Sequence, residues 1–536
     1  MFSLFAFLPV HVQCQAFTLI LTSHPLAMLM KLLIPSLACS LRRTPSIVQF
    51  NQILGSLAKT HHFPTAISLF QQLQTRGIAP SIVTLSIVIN CCCGMGHMAL
   101  AFSVLTKIFR MGFQPDIITL NTLIKGLCLS SKVEKALHFH DRLLAHGFHF
   151  DQVTYATLIN GLCKTGHTAA AIQVLRKIPR YGIAPDVVMY SAIIDSLCKV
   201  TLVSDAFHLY SEMLAKGISP DVITYNTLTY GLCLAGQLKE TIDLLNHMML
   251  KNISPDVRTY NTLIDGLCKE GNIKDAKSVL AVMTKDAVEP TVVTYNCLMD
   301  GYCLVNELNK AKCIFDTMPH IGMTPNIQSY NIIINGLCKS KLMDDALNIF
   351  EEMRRKNLVP DTVTYNTLID GLRKSRRISC ASKLLVEMHS KGQPADIITY
   401  TSLLDGMFNI KQVDEALMLF NQMKKSGIDP NIFTYNILIH GLCKNGRLIE
   451  AKEIFQDLSV KNYHPNVRTY TIMINGLCKE GLFEEALALM SKMEDNGCLP
   501  NAVTFEIVIR ALFEKGENDM AEKLLREMIA RGLLNG

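Results

Sequence analysis

Tyr260-Asn261-Thr262-Leu263-Ile264-Asp265-Gly266-Leu267-Cys268-Lys269 is the stretch whose reading decides the fold, because it is one copy among many. It matches Tyr155-Ala156-Thr157-Leu158-Ile159-Asn160-Gly161-Leu162-Cys163-Lys164 almost residue for residue. The string returns from Tyr365, with Arg373 in place of Cys, and again from Tyr435 and Tyr470. A second string closes each unit, as in Lys216-Gly217-Ile218-Ser219-Pro220-Asp221 and Ser426-Gly427-Ile428-Asp429-Pro430-Asn431. Fourteen 35-residue units therefore run from Ile47 to Gly536 without insertion or deletion, and 14 × 35 = 490 fills that span. The units are 47–81, 82–116, 117–151, 152–186, 187–221, 222–256, 257–291, 292–326, 327–361, 362–396, 397–431, 432–466, 467–501 and 502–536. A fixed period of this size predicts a stack of like supersecondary units, each burying its apolar face against its neighbours.

The unit 222–256 shows the internal plan. Tyr225-Asn226-Thr227-Leu228-Thr229-Tyr230-Gly231-Leu232-Cys233 has apolar residues at helical spacing. Gly236 then interrupts the chain, and Leu238 to Met249 forms a second amphipathic pattern. Pro255 ends the unit and Asp256 stands where the next helix wants an N-cap. Each unit thus predicts an antiparallel helical hairpin. The expected fold is all-α, a right-handed superhelical solenoid of tandem helix-turn-helix repeats, with the first helices lining the inner groove. Glycine marks the inner turn in seven units, and the glycines read as turn glycines, with no phosphate-binding loop.

Composition agrees. Of 536 residues, 49% are apolar, 18% are charged and none is Trp, as expected of helices sandwiched between neighbours. A single core of this length would be unusually large. The net charge of +6 permits a polyanionic partner without requiring one. Ten of the 18 cysteines fall on one repeat position, including Cys93, Cys128, Cys268 and Cys443. Residues a full repeat apart lie on different units and face the same way. That spacing predicts small buried helix residues in a reducing compartment, not disulfides or a zinc site. In the run Cys91-Cys92-Cys93 one thiol is expected to be exposed.

These strings and their strict period closely resemble the pentatricopeptide repeat family, of the pure 35-residue type. The tetratricopeptide competitor has a period of 34 and a Trp-based signature that is missing here. Near-identical repeats, and wording such as Ala-Leu-His-Phe-His at 136–140, resemble the fertility-restorer-like clade of plant organellar members. The resemblance implies an organellar single-stranded RNA binder reading one base per repeat with two side chains. These are the fifth residue of a unit and its last. The second residue, aliphatic or aromatic from Val48 to Val503 except at Arg258, Gln328 and Arg468, would wedge between bases.

Carried over in this way, Asn51 with Ser81 implies C, Ser86 with Asp116 implies G, and Asn121 with Asp151 implies U. Ala156 with Asp186 has nothing to read with and stays open. Ser191 with Asp221 implies G, Asn226 with Asp256 implies U, and Asn261 with Thr291 implies a pyrimidine. Asn296 with Asn326 implies C, with U as the alternative, while Asn331 with Asp361 and Asn366 with Asp396 each imply U. Thr401 with Asn431 implies A, Asn436 with Asn466 implies C, and Thr471 with Asn501 implies A. Glu506 with Gly536 matches no pair and reads as a cap. The implied target is 5′-CGUNGUYCUUACA-3′. The residue types suit base reading, since an Asn amide offers both a donor and an acceptor to a pyrimidine edge, and Ser or Thr leaves room for a purine. The closing Asp, Asn, Ser and Thr are also preferred helix N-caps. Capping leaves unexplained why the fifth residue is so often Asn, Ser or Thr.

Lysine ends the first helix in eight units, at Lys59, Lys164, Lys199, Lys269, Lys339, Lys374, Lys444 and Lys479. The helix dipole favours it there, and a line of lysines would also meet a phosphate backbone. No catalytic set appears. None of the 16 histidines has Glu two residues on, no CxxC occurs, and no metal or cofactor is expected. Residues 1–46 read as a targeting or degenerate capping segment. Met30 to Arg43 is acid-free and basic, which suits a mitochondrial presequence, with the chloroplast as alternative, and no stable membrane insertion is expected. The expected role is processing, stabilisation or translational control of one transcript, with a recruited nuclease as a protein partner. The competing readings are a helical scaffold for proteins and an RNA-cleaving enzyme.

Overall fold

The computed structural model describes residues 46–75, 77–460 and 463–533. The targeting reading of residues 1–45 and the reading of Gly536 lie outside them. Among the described residues there are 28 α-helices, two 3-10 helices and no strand. The chain divides into two compact units, one ending at Gly266 and one starting at Leu267. Each is an α-solenoid of tandem hairpins with an extended apolar core, the hairpin at 47–75 adding a small separate cluster around Leu54 and Ala66.

The period is kept at the level of helix starts. First helices begin at Ile47, Ile82, Ile117 and at every 35th residue to Ala502, and second helices likewise from Phe63 to Asn518. The closing residue of each repeat is the N-cap of the next first helix. Asp361, extended at φ −96°, accepts the Thr364 N–H at 2.8 Å, and Asn501 accepts the Thr504 N–H at 3.0 Å. Such a cap is worth about 1 kcal/mol. The inner turn takes one left-handed residue in every repeat. Seven are the glycines expected, such as Gly236 at φ 70°, and seven are not, including Thr201, Lys341 and Arg376 at φ 57° to 61°. In two repeats the second helix tightens into a 3-10 turn, at Ile178–Tyr181 and Met318–Ile321, where Pro179 and Pro319 remove a helical donor.

Most first helices bury an aromatic, two aliphatics and a Leu, as with Tyr330, Ile333, Ile334 and Leu337. Each second helix buries a small residue opposite them, such as Ala346 or Ala416, and then a Met or aliphatic such as Met353. Successive first helices approach closely because a mid-helix glycine stands at the contact in ten repeats, which corrects the turn reading for those glycines. A Cβ on Gly161 would stand 2.4 Å from Cys128 Sγ, and one on Gly336 2.7 Å from Cys303 Sγ. The recurring cysteine is therefore the small residue that a glycine of the following repeat packs upon. The exposed thiol expected in the run 91–93 is absent: Cys91, Cys92 and Cys93 are all buried. Burial raises these thiols to about 11, 12 and 12, so they stay protonated and unreactive.

Candidate nucleic-acid interface

In eleven of the fourteen repeats the second residue of the first helix is an apolar side chain that faces solvent, exposed from 46% at Val293 to 68% at Ile118; Arg258, Gln328 and Arg468 hold the place in the other three. An isolated exposed valine means little, but its recurrence at a constant position makes a periodic apolar row. Phe433 belongs to it, and Arg468, the next repeat's second residue, sets its guanidinium 5.7 Å from the Phe433 ring.

One helical turn on lies the fifth residue. In six repeats it is an Asn held by the same two bonds. Asn331 Nδ2 donates to Asp361 Oδ1 at 3.2 Å, and Asn331 Oδ1 accepts from the Thr364 hydroxyl at 2.7 Å. Asn366 repeats this with Asp396 at 3.0 Å and Thr399 at 2.5 Å, and Asn226 with Asp256 at 3.0 Å and Thr259 at 2.5 Å. Asn121 pairs with Asp151 and Thr154, Asn51 with Ser81 and Thr84, and Asn296 with Asn326 and Ser329. Burial pushes the carboxyls of Asp151, Asp256, Asp361 and Asp396 upward, but hydrogen bonds from the Thr and Asn partners outweigh it and hold them below the usual range. They are anions at neutral pH.

In six of the other expected pairs no direct bond joins the two residues. Ser86 and Ser191 bond Thr119 and Thr224 of the next repeat, while Asp116 and Asp221 cap the following helices. Thr401 bonds the Ile397 carbonyl of its own helix, and Asn431 caps the next. Thr471 meets Thr504, and Asn501 caps. Asp186 caps Met189 beside Ala156. Asn436 is buried with Oδ1 unpartnered, and Asn466 caps Thr469. Asn261 is half-buried, and Thr291 forms a capping box with Thr294. Ser191, Asn226, Asn296, Thr401 and Asn436 are all nearly covered.

All eight first-helix lysines are exposed. Lys199 and Lys374 are ion-paired to Asp195 and Asp370 one turn earlier, both at 2.6 Å, and Lys444 donates to Asn409 of the preceding repeat at 2.7 Å. This acidic ninth position went unnoticed in the sequence, although Asp recurs there in five repeats. Where Arg373 replaces Cys, its guanidinium bridges Asp370 at 2.7 Å and Asp405 of the next repeat. These groups, with Thr401, Phe433, Asn436 and His440, line a cavity of about 580 Å³. Burial first, then Lys479 and Lys444, keep His440 below its usual pKa and so neutral. Among the described residues no group of three or more His, Cys, Asp or Glu could hold a metal, and no helix is long and apolar enough to cross a membrane.

The model of the PPR repeat family matches residues 45–94, 88–129, 115–164, 150–199, 185–234, 230–269, 255–304, 290–339, 325–374, 360–409, 395–444, 430–479 and 473–514. A PPR repeat model matches residues 503–533. No curated protein matches the chain. Among solved structures it is similar to the pentatricopeptide repeat protein PPR10 from maize, at 24% identity over 91% of this chain and 79% of that one, with a TM-score of 0.53. It is also similar to PPR10 in complex with an 18-nt psaJ RNA element, at 24% identity over 92% and 81%, with a TM-score of 0.50.

Proposed function

We propose, since this chain belongs to the PPR repeat family, that it binds one single-stranded RNA sequence-specifically, one base per repeat, and is not itself a catalyst. The observation that carries this reading is the alternation, at 35-residue intervals, of an exposed apolar side chain and an amide held in one orientation. Apolar residues such as Val363 and Ile398 supply faces for bases to pack on, which is tolerant of sequence. The amide between them, in repeats such as the tenth, supplies discrimination. An Asn has two N–H donors and two carbonyl lone pairs. The cap takes one donor and the Thr hydroxyl takes one lone pair, leaving one of each for a pyrimidine edge. The nearly covered amides, such as Asn226, are reached only as the slot between successive second-position side chains opens. The psaJ RNA in the PPR10 complex supports the same use of the fold.

The target reads 5′-CGUNGUYCUUACA-3′ from the pairs given above. The lysines without an ionic partner in their own helix, such as Lys339 and Lys479, meet phosphates more readily than Lys199 and Lys374, which are already neutralised. Bound over such a tract, the chain acts by occlusion, blocking a nuclease or ribosome or marking a site for a recruited nuclease. Its transcript is organellar, mitochondrial first and chloroplast second, a reading supported by the basic, acid-free stretch before the repeats. Imaging of a fluorescent protein fused to residues 1–60 tests the compartment.

Binding is tested by fluorescence anisotropy of the full chain with 5′-CGUAGUCCUUACA-3′ and a scrambled RNA of equal composition at about 150 mM salt. The expected preference exceeds about ten-fold, since several hydrogen bonds worth about 1 kcal/mol each multiply. Equal weak binding to both would sink sequence-specific reading and favour the protein-scaffold alternative.

A further inference from the structure

Every repeat from the second to the fourteenth has Thr or Ser as its third residue, with one exception, Met189 in the fifth. Where its side chain is a hydroxyl it is buried, at 0% exposure for Thr154, Thr364 and Thr399. One role is local: the hydroxyl accepts the N–H of the cap, as from Asp361 N to Thr364 Oγ1 at 3.2 Å. That role does not need a hydroxyl. Gln49 completes the same capping box at the start of the first helix of the repeat 47–81. Nor does it account for the exception, because Asp186 still caps the Met189 N–H at 2.9 Å.

The second role, made in nine repeats but not by Thr434 or Thr469, reaches back across the repeat boundary to the fifth residue of the preceding repeat, and it accounts for the exception. Met189 follows the one repeat whose fifth residue, Ala156, has no polar group to hold. The hydroxyl is lost where its cross-repeat partner is lost and nowhere else among these repeats. We infer that the buried third-position hydroxyl is a specificity-determining positioning residue: it orients the fifth-position amide or hydroxyl of the preceding repeat and so sets which base that repeat accepts. The inference rests on the base-reading account above.

The chemistry is that of a single hydrogen with two claimants. Thr364 Oγ1 lies 2.7 Å from Asn331 Oδ1 and 2.8 Å from Asp361 Oδ1, and one hydroxyl donates to one acceptor at a time. Turning the Asn331 amide over would set its oxygen against the Asp361 carboxylate, so Nδ2 stays on the cap and Oδ1 on the threonine. Without the hydroxyl, the carbonyl loses its buried partner. The amide is then free to swing about its terminal torsion, which is broad in Asn. A loosely held amide offers donor and acceptor to either pyrimidine, and discrimination falls although stacking and affinity persist.

The test uses the full chain and 13-nucleotide RNAs that differ at one position. T364V should reduce the preference for U over C at the ninth nucleotide by about five-fold, the worth of one hydrogen bond. It should leave the tenth nucleotide and affinity for the matched RNA nearly unchanged, and T364S should restore the preference. A gain-of-function arm breaks no native hydrogen bond of the fifth position, although M189T trims a buried side chain. A156N should give weak preference at the fourth nucleotide, and A156N/M189T a preference for U about five-fold stronger. If T364V discriminates like wild type, or if A156N alone discriminates as well as the double variant, the inference is overturned. N331A separates the two levels. Loss of preference in N331A with none in T364V overturns only the threonine role. An unchanged N331A profile removes the base-reading account and the inference with it.

Discussion

At the residue scale, the recurring cysteine and the mid-helix glycine are two halves of one contact. The period of Cys was plain in the sequence; six of the ten are buried as expected, and Cys163, Cys233, Cys303 and Cys338 are half-buried. The partner of this cysteine was not plain, because Gly336 follows Cys303 by 33 residues and only stacking brings them together. A Cβ at Gly336 would stand 2.7 Å from Cys303 Sγ and 3.5 Å from Cys303 Cβ, with Leu308 at 2.9 Å. Gly336→Ala should therefore destabilise by about 1–3 kcal/mol through overpacking, although alanine favours helix. Cys303→Ala removes the sulfur and leaves the Leu308 methyl group as the one close contact. In a double-mutant cycle by urea denaturation it should recover a good part of that loss, and purely additive values would show that the contact is relieved elsewhere. The same distance in sequence hid the hydroxyl of Thr364 from Asn331: a run of Thr at the third position looks like capping until the preceding repeat is laid beside it.

At the element scale, hairpin geometry was legible because its signals are local. Pro and Asp at the repeat boundary, and apolar residues at 3.6-residue spacing, depend on neighbours a few residues away. The inner turn was only half legible. Its backbone is left-handed in every repeat, yet half of these positions lack glycine, and several, such as Lys341 at φ 61°, carry side chains that give no turn signal. Neighbouring helices impose this conformation against a local cost of about 1 kcal/mol or more for a residue with a Cβ. Lys341→Gly should relieve it and raise stability by about 0.5 kcal/mol, less than the full relief because glycine also gains entropy in the unfolded chain. The check is the urea midpoint at unchanged slope. A lower midpoint would mean that the lysine side chain contributes more than its backbone costs.

At the scale of the whole molecule, a repeat array behaves as a sum of units and their interfaces. Residues 327–361 form one period lying within the second compact unit, bounded by equivalent caps at Asn326 and Asp361. Their deletion joins Asn326 to Thr362 in the register that every boundary uses. The shortened chain should stay folded, by circular dichroism and cooperative melting, and should prefer an RNA lacking the ninth nucleotide. Removing 20 residues instead breaks register and should abolish cooperative folding. If the 35-residue deletion still prefers the full-length RNA, one-base-per-repeat reading is wrong.

The sequence by itself determined the all-α class, the repeat boundaries, the caps, the cysteine row and the identity of the second, fifth and last residues. Each of these is written in a short window and then copied many times, so errors in one copy are corrected by the next. Tertiary structure alone decided which groups meet across a repeat boundary. It set the glycine on the cysteine, the third-position hydroxyl on the preceding amide and Arg373 between two acids. Several of these contacts join residues about 33 positions apart, and their distances depend on how tightly helices stack, which is a property of packing and not of any one repeat.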